Sequence, residues 1–311
     1  MDAVDVAMTA HDWLAPVLAE DVKSSDLDVK VDLRAGLAWI AAAPQIQAGE
    51  GSLAAHVIRI AAGDRSLVGV PIFAARGFPH GNFLVKVDSP LTKLADLRGQ
   101  RVGVAGRWTT TGNTWGRRTL RDEGVRPETV TWVAEAGSPA VPMGSNFSTT
   151  AGSTLDLLVD GQLDAVAANE RLEDLATYRP HLRRLVPDYP AASVDYFQRT
   201  GLYPIFHIVL VRSEFAVAHP QVLHALWDLF QAARTQWFDH ILEYEDGSPW
   251  AAAEIYRFTE LFAGSWYQDG LTPALNDLTI RALVEELQVE GIVSTALAPA
   301  ELFAEFLAAA K

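Results

Sequence analysis

The sequence contains no cysteine among its 311 residues. Disulfides, thiolate metal sites and a cysteine nucleophile are therefore excluded, although the redox compartment is not fixed by this absence. No segment reaches the roughly 18 consecutive apolar residues of a membrane-spanning helix. The segment Met1–Val6 has neither the basic part nor the apolar part of a secretory signal. The sequence therefore predicts a cytoplasmic protein.

Basic residues are scarce as well. The chain has 25 Lys and Arg against 39 Asp and Glu, which gives a formal charge of −14. An acidic surface of this size repels phosphate backbones and anionic lipids, so neither nucleic acid nor a membrane surface is an expected partner. Basic residues that gather in a pocket would stand against this field and would favour a small anionic ligand.

Several signatures of cofactor and metal chemistry are also missing. There is no Walker loop, no dinucleotide fingerprint and no G-x-S-x-G elbow. The eight histidines form neither H-x-x-x-H nor H-E-x-x-H. We therefore expect no cofactor and no dedicated metal site, while a metal bridged by the substrate stays an open alternative.

What the sequence does contain is an alternation of short apolar segments and longer helical ones. Valine-rich segments such as Asp28–Leu33 and Leu67–Phe73 predict strands, whereas Thr111–Asp122 and the segments after Pro220 predict helices. Alternation of this kind favours an α/β architecture with largely parallel sheets.

The length is about twice that of a typical domain, which favours two lobes. Two apolar segments, Asn82–Val87 and Tyr203–Arg212, are interpreted as crossings between them. We predict one lobe from residues 1–85 and 204–311, with a helical C-terminal part, and a second lobe from residues 86–203. Two such crossings predict a two-strand hinge and a central cleft that closes on a ligand.

Two motifs carry a resemblance to a known fold. The segment Ser89–Val104 contains Ala-Asp-Leu-Arg-Gly-Gln-Arg-Val-Gly-Val, and Gly161–Val166 contains Gly-Gln-Leu-Asp-Ala-Val. Both resemble motifs of the second lobe in type II periplasmic-binding-protein folds. The resemblance implies this two-lobed fold and no particular ligand.

Other segments are similar to a narrower group within that fold, the 4,5-dihydroxyphthalate decarboxylases. The similar segments are Glu50–Leu53, Val70–His80, Thr111–Leu120, Gly201–His207, Gln268–Leu271 and Leu297–Phe303. The sequence departs from the group at Pro79, where arginine is more usual, and at Gly81, where serine is usual. These departures bear on which substrate the chain accepts and on whether it decarboxylates that substrate.

Three residues are predicted to hold or protonate the ligand. Arg76 follows a buried strand, where ligands of open α/β sheets bind, and its guanidinium can hold a carboxylate through two hydrogen bonds. A histidine side chain ordinarily titrates near neutrality, so His80 and His207 are the candidate catalytic acids. The alternatives are that Arg76 is a surface arginine, that His80 is a loop histidine, and that His207 is a hydrogen-bonded core histidine.

Further substrate contacts are predicted at Thr110, Thr111, Trp115 and Glu50. The two threonines begin a helix whose free amides and dipole favour an anion, although simple N-capping explains them equally well. Trp115 is an aromatic platform or a core residue. Glu50 orients a cationic residue or transfers a proton. Arg117 and Arg118 are expected to be solvated.

Two functions of different classes follow from these features. The first is a cofactor-independent decarboxylase, a carbon-carbon lyase acting on a hydroxylated aromatic carboxylate. The alternative is a solute-binding protein that delivers a small anionic or aromatic ligand to an ABC transporter. Another enzyme of the same fold or a ligand sensor is a third possibility. The aromatic residues Trp237, Phe238 and Trp266 are candidates for a homodimer interface.

Overall fold

The structure is a computed structural model. It describes residues 2–33, 40, 44–137, 146–168, 171–241, 250–262 and 268–309. The chain divides into two compact units. The first unit comprises Met1–Arg76, Ile205–Asp277 and Leu297–Lys311, and the second comprises Gly77–Pro204 and Leu278–Ala296.

The first unit is built on a five-stranded sheet. Its strands are β1 (Asp2–Met8), β2 (Leu27–Leu33), β3 (Ala48–Ser52), β4 (Leu67–Arg76) and β11 (Ile205–Arg212), in the order β2-β1-β3-β11-β4. The first three strands in this order run parallel, and β11 runs antiparallel to both of its neighbours. The start of β11 therefore lies at the same edge of the sheet as the carboxyl ends of β1, β3 and β4.

Helices cover this sheet and complete its core. They are α1 (Ala15–Leu18), α2 (Leu53–Ala61), α6 (Ser213–Ala218), α7 (Val222–Ile241), α8 (Ala251–Leu261), α10 (Pro299–Leu302) and α11 (Ala304–Ala309). The apolar face of α7, including Leu226 and Phe230, packs with sheet residues such as Val70 and Val209. Burial of this face, rather than helix propensity, stabilises the long helix. No helix in the described part of the chain is long and apolar enough to span a membrane.

The second unit contains a six-stranded mixed sheet. Its strands are β5 (Phe83–Lys86), β6 (Arg101–Val104), β7 (Thr131–Glu135), β8 (Phe147–Thr150), β9 (Ala165–Ala167) and β10 (Leu182–Arg184), in the order β10-β5-β9-β6-β7-β8. Its helices are α3 (Thr111–Asp122), α4 (Thr154–Val159), α5 (Tyr189–Thr200) and most of α9 (Ala274–Val289). The antiparallel pairing of β5 with β9 and β10 places β5 in this unit.

The two units differ from the predicted lobes in two segments. Residues 77–85 were predicted in the first lobe, but β5 belongs to the second sheet. Residues 278–296 also lie in the second unit, because Glu290 forms a buried ion pair with Arg117 of α3. The expectation that Arg117 is solvated was therefore wrong, since its side chain is 1% exposed.

Candidate active site

A buried carboxylate held by two histidines lies in the first unit. Glu50 of β3 has no exposed surface. His207 Nδ1 donates to one carboxylate oxygen, Oε1, over 2.5 Å, and His11 Nε2 donates to the other, Oε2, over 2.9 Å. The backbone N–H of Thr9 donates to Oε2 as well, at 2.8 Å. Every donor in this cluster, which we call the Glu50 cluster, comes from the chain of the first unit.

The strand register explains why these side chains meet. Glu50 of β3 is directly opposite Val209 of β11, and His207 lies two residues before Val209. Residues two apart in a strand share a face, so Glu50 and His207 are diagonal neighbours on one side of the sheet. Thr9 and His11 follow the carboxyl end of β1, which runs parallel to β3. This is the edge at which open α/β sheets bind ligands.

The neighbouring strand β4 is irregular where it passes this site. The pairing of β4 with β11 shifts register on both sides of His207. Asp269 replaces part of the lost ladder by accepting from the backbone N–H of Phe73 at 2.6 Å, and Arg234 donates to Asp269 at 3.1 Å. Trp13 Nε1 donates to the carbonyl of Ala74 at 3.3 Å. Buried side chains therefore satisfy the backbone groups that the irregularity frees.

The environment of Glu50 favours the ionised carboxylate. Burial opposes ionisation, but the hydrogen bonds and charges of His11 and His207 outweigh it and hold the pKa of Glu50 well below its usual range. An ionised carboxylate only accepts hydrogen bonds, so the histidine nitrogens that face it carry hydrogen. His207 is 24% exposed, and among the described residues its Nε2 has no hydrogen-bond partner. That nitrogen can donate or accept a proton at the surface of the unit.

Arg76 was predicted to hold the ligand carboxylate. It ends β4, and its Nη2 donates to the carbonyl of Gln268 at 2.9 Å and to Asn276 Oδ1 at 2.7 Å. The guanidinium also lies 4.8 Å from the centre of the Phe73 ring. Arg76 thus fastens the chain around residue 268 to the end of β4, and its ligand role stays a prediction.

His80 was the second candidate acid, and the structure buries it in the second unit. Its side chain is 2% exposed, and its ring packs against Tyr196 with the centroids 5.2 Å apart. Burial, with a smaller contribution from Arg199, lowers the pKa of His80 to about 4, and Asp195 opposes the shift. The imidazole is therefore neutral near pH 7. His80 belongs to a different unit from the Glu50 cluster, and its catalytic role stays a prediction.

The predicted contacts of α3 also lie in the second unit. Thr110 is the N-cap of this helix, and its hydroxyl accepts from the N–H of Asn113 at 3.3 Å. Thr111 is buried, and Trp115 has no exposed surface. A fully buried indole presents no face to a ligand, so the structure assigns Trp115 to the core instead of the binding surface. The capping interpretation of Thr110 describes what the structure contains.

Sequence reasoning missed His11 and its neighbour Trp13. The two rings are stacked, with centroids 5.6 Å apart and planes inclined by 13°. Neither residue lies in a recognisable motif of the sequence, and His11 precedes a short 3₁₀ helix, Asp12–Leu14. The one available signal was their position just after a strand. Among the described residues, no group of three or more His, Cys, Asp and Glu side chains is arranged to hold a metal ion.

Comparison with protein families gives one match over most of the chain. A family model described as ABC transporter, phosphonate, periplasmic substrate-binding protein matches residues 34–238. This segment includes Glu50 and His207 but not His11.

Two curated relatives carry the same enzyme name. The 4,5-dihydroxyphthalate decarboxylase of Comamonas testosteroni is 28% identical over 269 residues, which cover 82% of this chain and 81% of the relative. The protein of that name from Pseudomonas putida is 31% identical over 163 residues, covering 48% of this chain and 62% of the relative. The resemblance to the decarboxylase group that the sequence motifs indicated is thereby confirmed.

Two solved structures with similar folds are named as sulfonate-binding proteins. The alkanesulfonate-binding protein SsuA from Xanthomonas axonopodis pv. citri has a TM-score of 0.56 at 13% identity, covering 97% of this chain and 98% of that one. The aliphatic sulphonate binding protein SsuA from Escherichia coli has a TM-score of 0.57 at 15% identity, covering 98% and 91%. At these identities the likeness shows the fold, and it confirms the predicted periplasmic-binding-protein architecture.

Proposed function

The chain belongs to the family described as ABC transporter, phosphonate, periplasmic substrate-binding protein. Within this family, we propose that it is a cofactor-independent decarboxylase of a hydroxylated aromatic carboxylate. The observation that carries the proposal is the hydrogen bond between His207 and the buried Glu50. Capture of an anion requires donors alone. A buried carboxylate that orients a half-buried imidazole is an arrangement suited to moving a proton.

The chemistry needs one proton donor and a source of electrons within the substrate. A ring hydroxyl ortho or para to the carboxylate supplies electrons to the carbon that bears it. The protonated Nε2 of His207 gives its proton to that ring carbon, the bond to the carboxylate carbon then breaks, and carbon dioxide leaves as the ring regains aromaticity. His207 is left neutral and takes its next proton from solvent. The net reaction consumes one proton for each carboxylate released.

Glu50 supports the charged form of His207 in this step. An ionised carboxylate beside an imidazole stabilises the imidazolium and fixes the ring with Nδ1 toward the carboxylate. Nε2 is then the nitrogen left for the substrate. The names of the two relatives agree with this reaction, since both are called 4,5-dihydroxyphthalate decarboxylase.

The alternative is a solute-binding protein, and the family description favours it. The family is described for phosphonate, and the structurally similar SsuA proteins are named for sulfonates. Sulfonates, phosphonates and aromatic carboxylates are all small anions, so a small anionic ligand is common to both proposals. The cytoplasmic location predicted from the sequence stays a prediction, and it would not suit a binding protein that serves a transporter.

The substitution His207→Asn separates turnover from binding. The asparagine amide can take the place of Nδ1 and still donate to Glu50, but nothing replaces Nε2. We expect turnover to fall by at least about a hundred-fold, the usual contribution of a general acid, while ligand affinity changes by a few-fold. The measurement is carbon dioxide release from a panel of hydroxybenzoates and phthalates, with thermal shift on the same panel to report binding.

The matched control is His181→Asn, because His181 is an exposed histidine of the second unit. Its turnover should equal that of the unchanged protein. Full activity in His207→Asn would refute the assignment of the acid. Thermal shifts without carbon dioxide release from any member of the panel would favour the solute-binding alternative.

A further inference from the structure

His11 holds the oxygen of Glu50 that His207 does not use. Its Nε2 donates to Oε2 at 2.9 Å, and its side chain is 17% exposed. We propose that His11 is a positioning residue, which fixes the buried carboxylate and thereby sets how strongly His207 binds its proton. The consequence for catalysis rests on the proposed decarboxylase function, but the effect on His207 does not.

The position of His11 is built by buried neighbours. Its ring stacks on Trp13, which is 6% exposed. Arg234 places its guanidinium 4.4 Å from the centre of the Trp13 ring, and Arg234 is itself held by Asp269. Trp13 is fixed in addition by its hydrogen bond to the carbonyl of Ala74. A histidine clamped in this way has little freedom to turn away from Glu50, so the hydrogen bond is a fixed part of the fold.

Sharing one carboxylate couples the two imidazoles. A negative charge beside an imidazole favours its protonated form, and a second donor on the same carboxylate reduces that effect. His11 therefore lowers the affinity of His207 for a proton relative to a site in which Glu50 serves His207 alone. An acid that must release its proton to a ring carbon benefits from a moderated affinity.

Other charged groups near the cluster are few in the described chain. Besides Glu50, they include Arg234, which lies against Trp13, Asp269, which pairs with Arg234, Asp12, which follows His11, and Arg76, which follows the partner of His207 in β4. Because Arg234 and Asp269 carry opposite charges, they largely offset each other. Both imidazoles contact the carboxylate of Glu50, so a change at His11 reaches His207 through this shared group.

The test compares two substitutions of similar polarity. In His11→Gln the amide nitrogen takes the place of Nε2 and can still donate to Glu50. In His11→Asn the amide corresponds to Nδ1 and is too short to reach the carboxylate. His181→Asn again serves as the control. The readout is the pH titration of the His207 imidazole followed by NMR of histidine-labelled protein without substrate, with His207→Asn used to assign its signals.

We expect the His207 midpoint to rise by about half a pH unit or more in His11→Asn, and to move less in His11→Gln. An unchanged midpoint in His11→Asn, in a protein whose near-UV circular dichroism is native, would overturn the proposal. A larger shift in His11→Gln than in His11→Asn would also overturn it, because the donor would then not be the cause.

Turnover supplies a second, separate readout. In His11→Asn we expect kcat to fall about ten-fold or more with KM changed less than about two-fold, and the pH profile to move with the NMR midpoint. His11→Gln should recover most of kcat. Equal losses in both variants with an unmoved pH profile would indicate a merely structural role. If no substrate is turned over, the decarboxylase proposal fails, while the NMR titration still decides the role of His11.

Discussion

Glu50 carries a negative charge and has no exposed surface, and three donors among the described residues stabilise it. Removing a carboxylate from water is costly unless hydrogen bonds and opposite charges replace the lost solvation. Thr9, His11 and His207 supply these replacements from segments far apart in the sequence. The cluster therefore links β1, β3 and β11 at the edge of the sheet.

The substitution Glu50→Gln tests this energetic role. The neutral amide can accept from only one side of the cluster, so at least one buried donor loses its partner, and we expect a loss of about 1–3 kcal/mol at pH 7. The folded-state pKa of Glu50 lies below its usual value of 4.5. Its ionisation therefore stabilises the protein fully above about pH 4.5, and this stabilisation is lost as the pH falls toward the folded-state pKa.

Urea denaturation between pH 3.5 and pH 7 measures both effects. The difference between Glu50→Gln and the unchanged protein should shrink as the pH falls below 4.5. Glu260→Gln, which alters an exposed carboxylate of α8, is the control and should change stability little. A constant difference across the whole range would contradict the charged state assigned to Glu50.

At this scale the sequence predicted part of the site. Glu50 and His207 were identified through motifs, but their contact depends on the pairing of β3 with β11, more than 150 positions apart in the chain. His11 carries no local pattern, since its partner is 39 positions away. Trp115 shows the opposite difficulty, because an aromatic residue near a helix start has the same sequence pattern whether it faces a ligand or the core.

Among the elements, α3 is joined to the residue that follows α9 by a buried ion pair. Arg117 Nη2 donates to Glu290 Oε2 at 2.8 Å, and its Nε donates to the other oxygen. Arg117 also donates to the backbone carbonyl of Trp108, and its guanidinium carbon lies 3.9 Å from the centre of the Trp108 ring. A planar guanidinium suits this combination of a two-pronged ion pair and ring stacking. These contacts hold the segment after α9 to the second unit.

Removing one partner of this ion pair should cost more stability than replacing both partners by apolar residues. Glu290→Met leaves a buried guanidinium without its charge partner, so we expect a loss of about 3–5 kcal/mol. The double variant with Arg117→Met and Glu290→Met should lose less than the sum of the two single changes. Chemical denaturation of the four proteins gives the coupling energy. Arg171→Met removes the exposed pair with Asp174 and, as the control, should change stability little. Additive losses would mean that the two residues do not interact.

Elements with a strong pattern were predicted from the sequence, and elements without one were missed. The observed helix Thr111–Asp122 has the predicted bounds, and β2 and β4 overlap the valine-rich segments. Strand β3 was missed because Ala-Gly-Glu-Gly-Ser contains no β-branched or aromatic residue. It forms a strand because β1 and β11 pair with it on either side. Tertiary pairing thus outweighs local propensity at the strand that carries Glu50.

For the whole molecule, each unit contains one buried histidine that is held neutral. Burial lowers the pKa of His56 in the first unit to about 4, and it does the same for His80 in the second. His56 keeps a hydrogen bond to the carbonyl of Leu302 at 2.7 Å. Their folded-state pKa values lie below the usual 6.5, so the unfolded chain binds more protons between about pH 6.5 and pH 4. The free energy of unfolding of both units should therefore decrease as the pH falls from about 6.5 to about 4.

The substitution His80→Phe tests the window in the second unit. Each proton bound preferentially by the unfolded chain contributes about 1.4 kcal/mol per pH unit to the slope of the unfolding free energy against pH. Between about pH 6 and pH 4.5 the slope of the variant should therefore be smaller by about this amount. The measurement is the free energy of unfolding in urea at several pH values. His181→Phe, at an exposed histidine, should keep the original slope, and an unchanged slope in His80→Phe would refute the burial effect.

The fold class was predictable at this scale, whereas the borders of the units were not. Alternating strands and helices predict α/β layers, and the motifs near residues 89–104 indicated the periplasmic-binding-protein fold. The segment 278–296 has no feature that would assign it to the second unit, since that assignment depends on Arg117 and on Arg121, whose partner is Glu286. The suggested dimer residue Trp266 lies outside the described residues, and the homodimer stays a prediction.

The shifted register around His207 has a consequence for how such a scaffold can change during evolution. On one side of the irregularity, Val209 and Val211 keep their regular partners Val70 and Val68 and remain in the apolar core. The histidine sits beyond the point where the regular pairing stops, so its identity is not tied to the alternation that the core demands. The residue at position 207 can therefore change under selection while Val209 and Val211 keep their packing. A change of side chain at this edge alters the chemistry available there without requiring a new sheet.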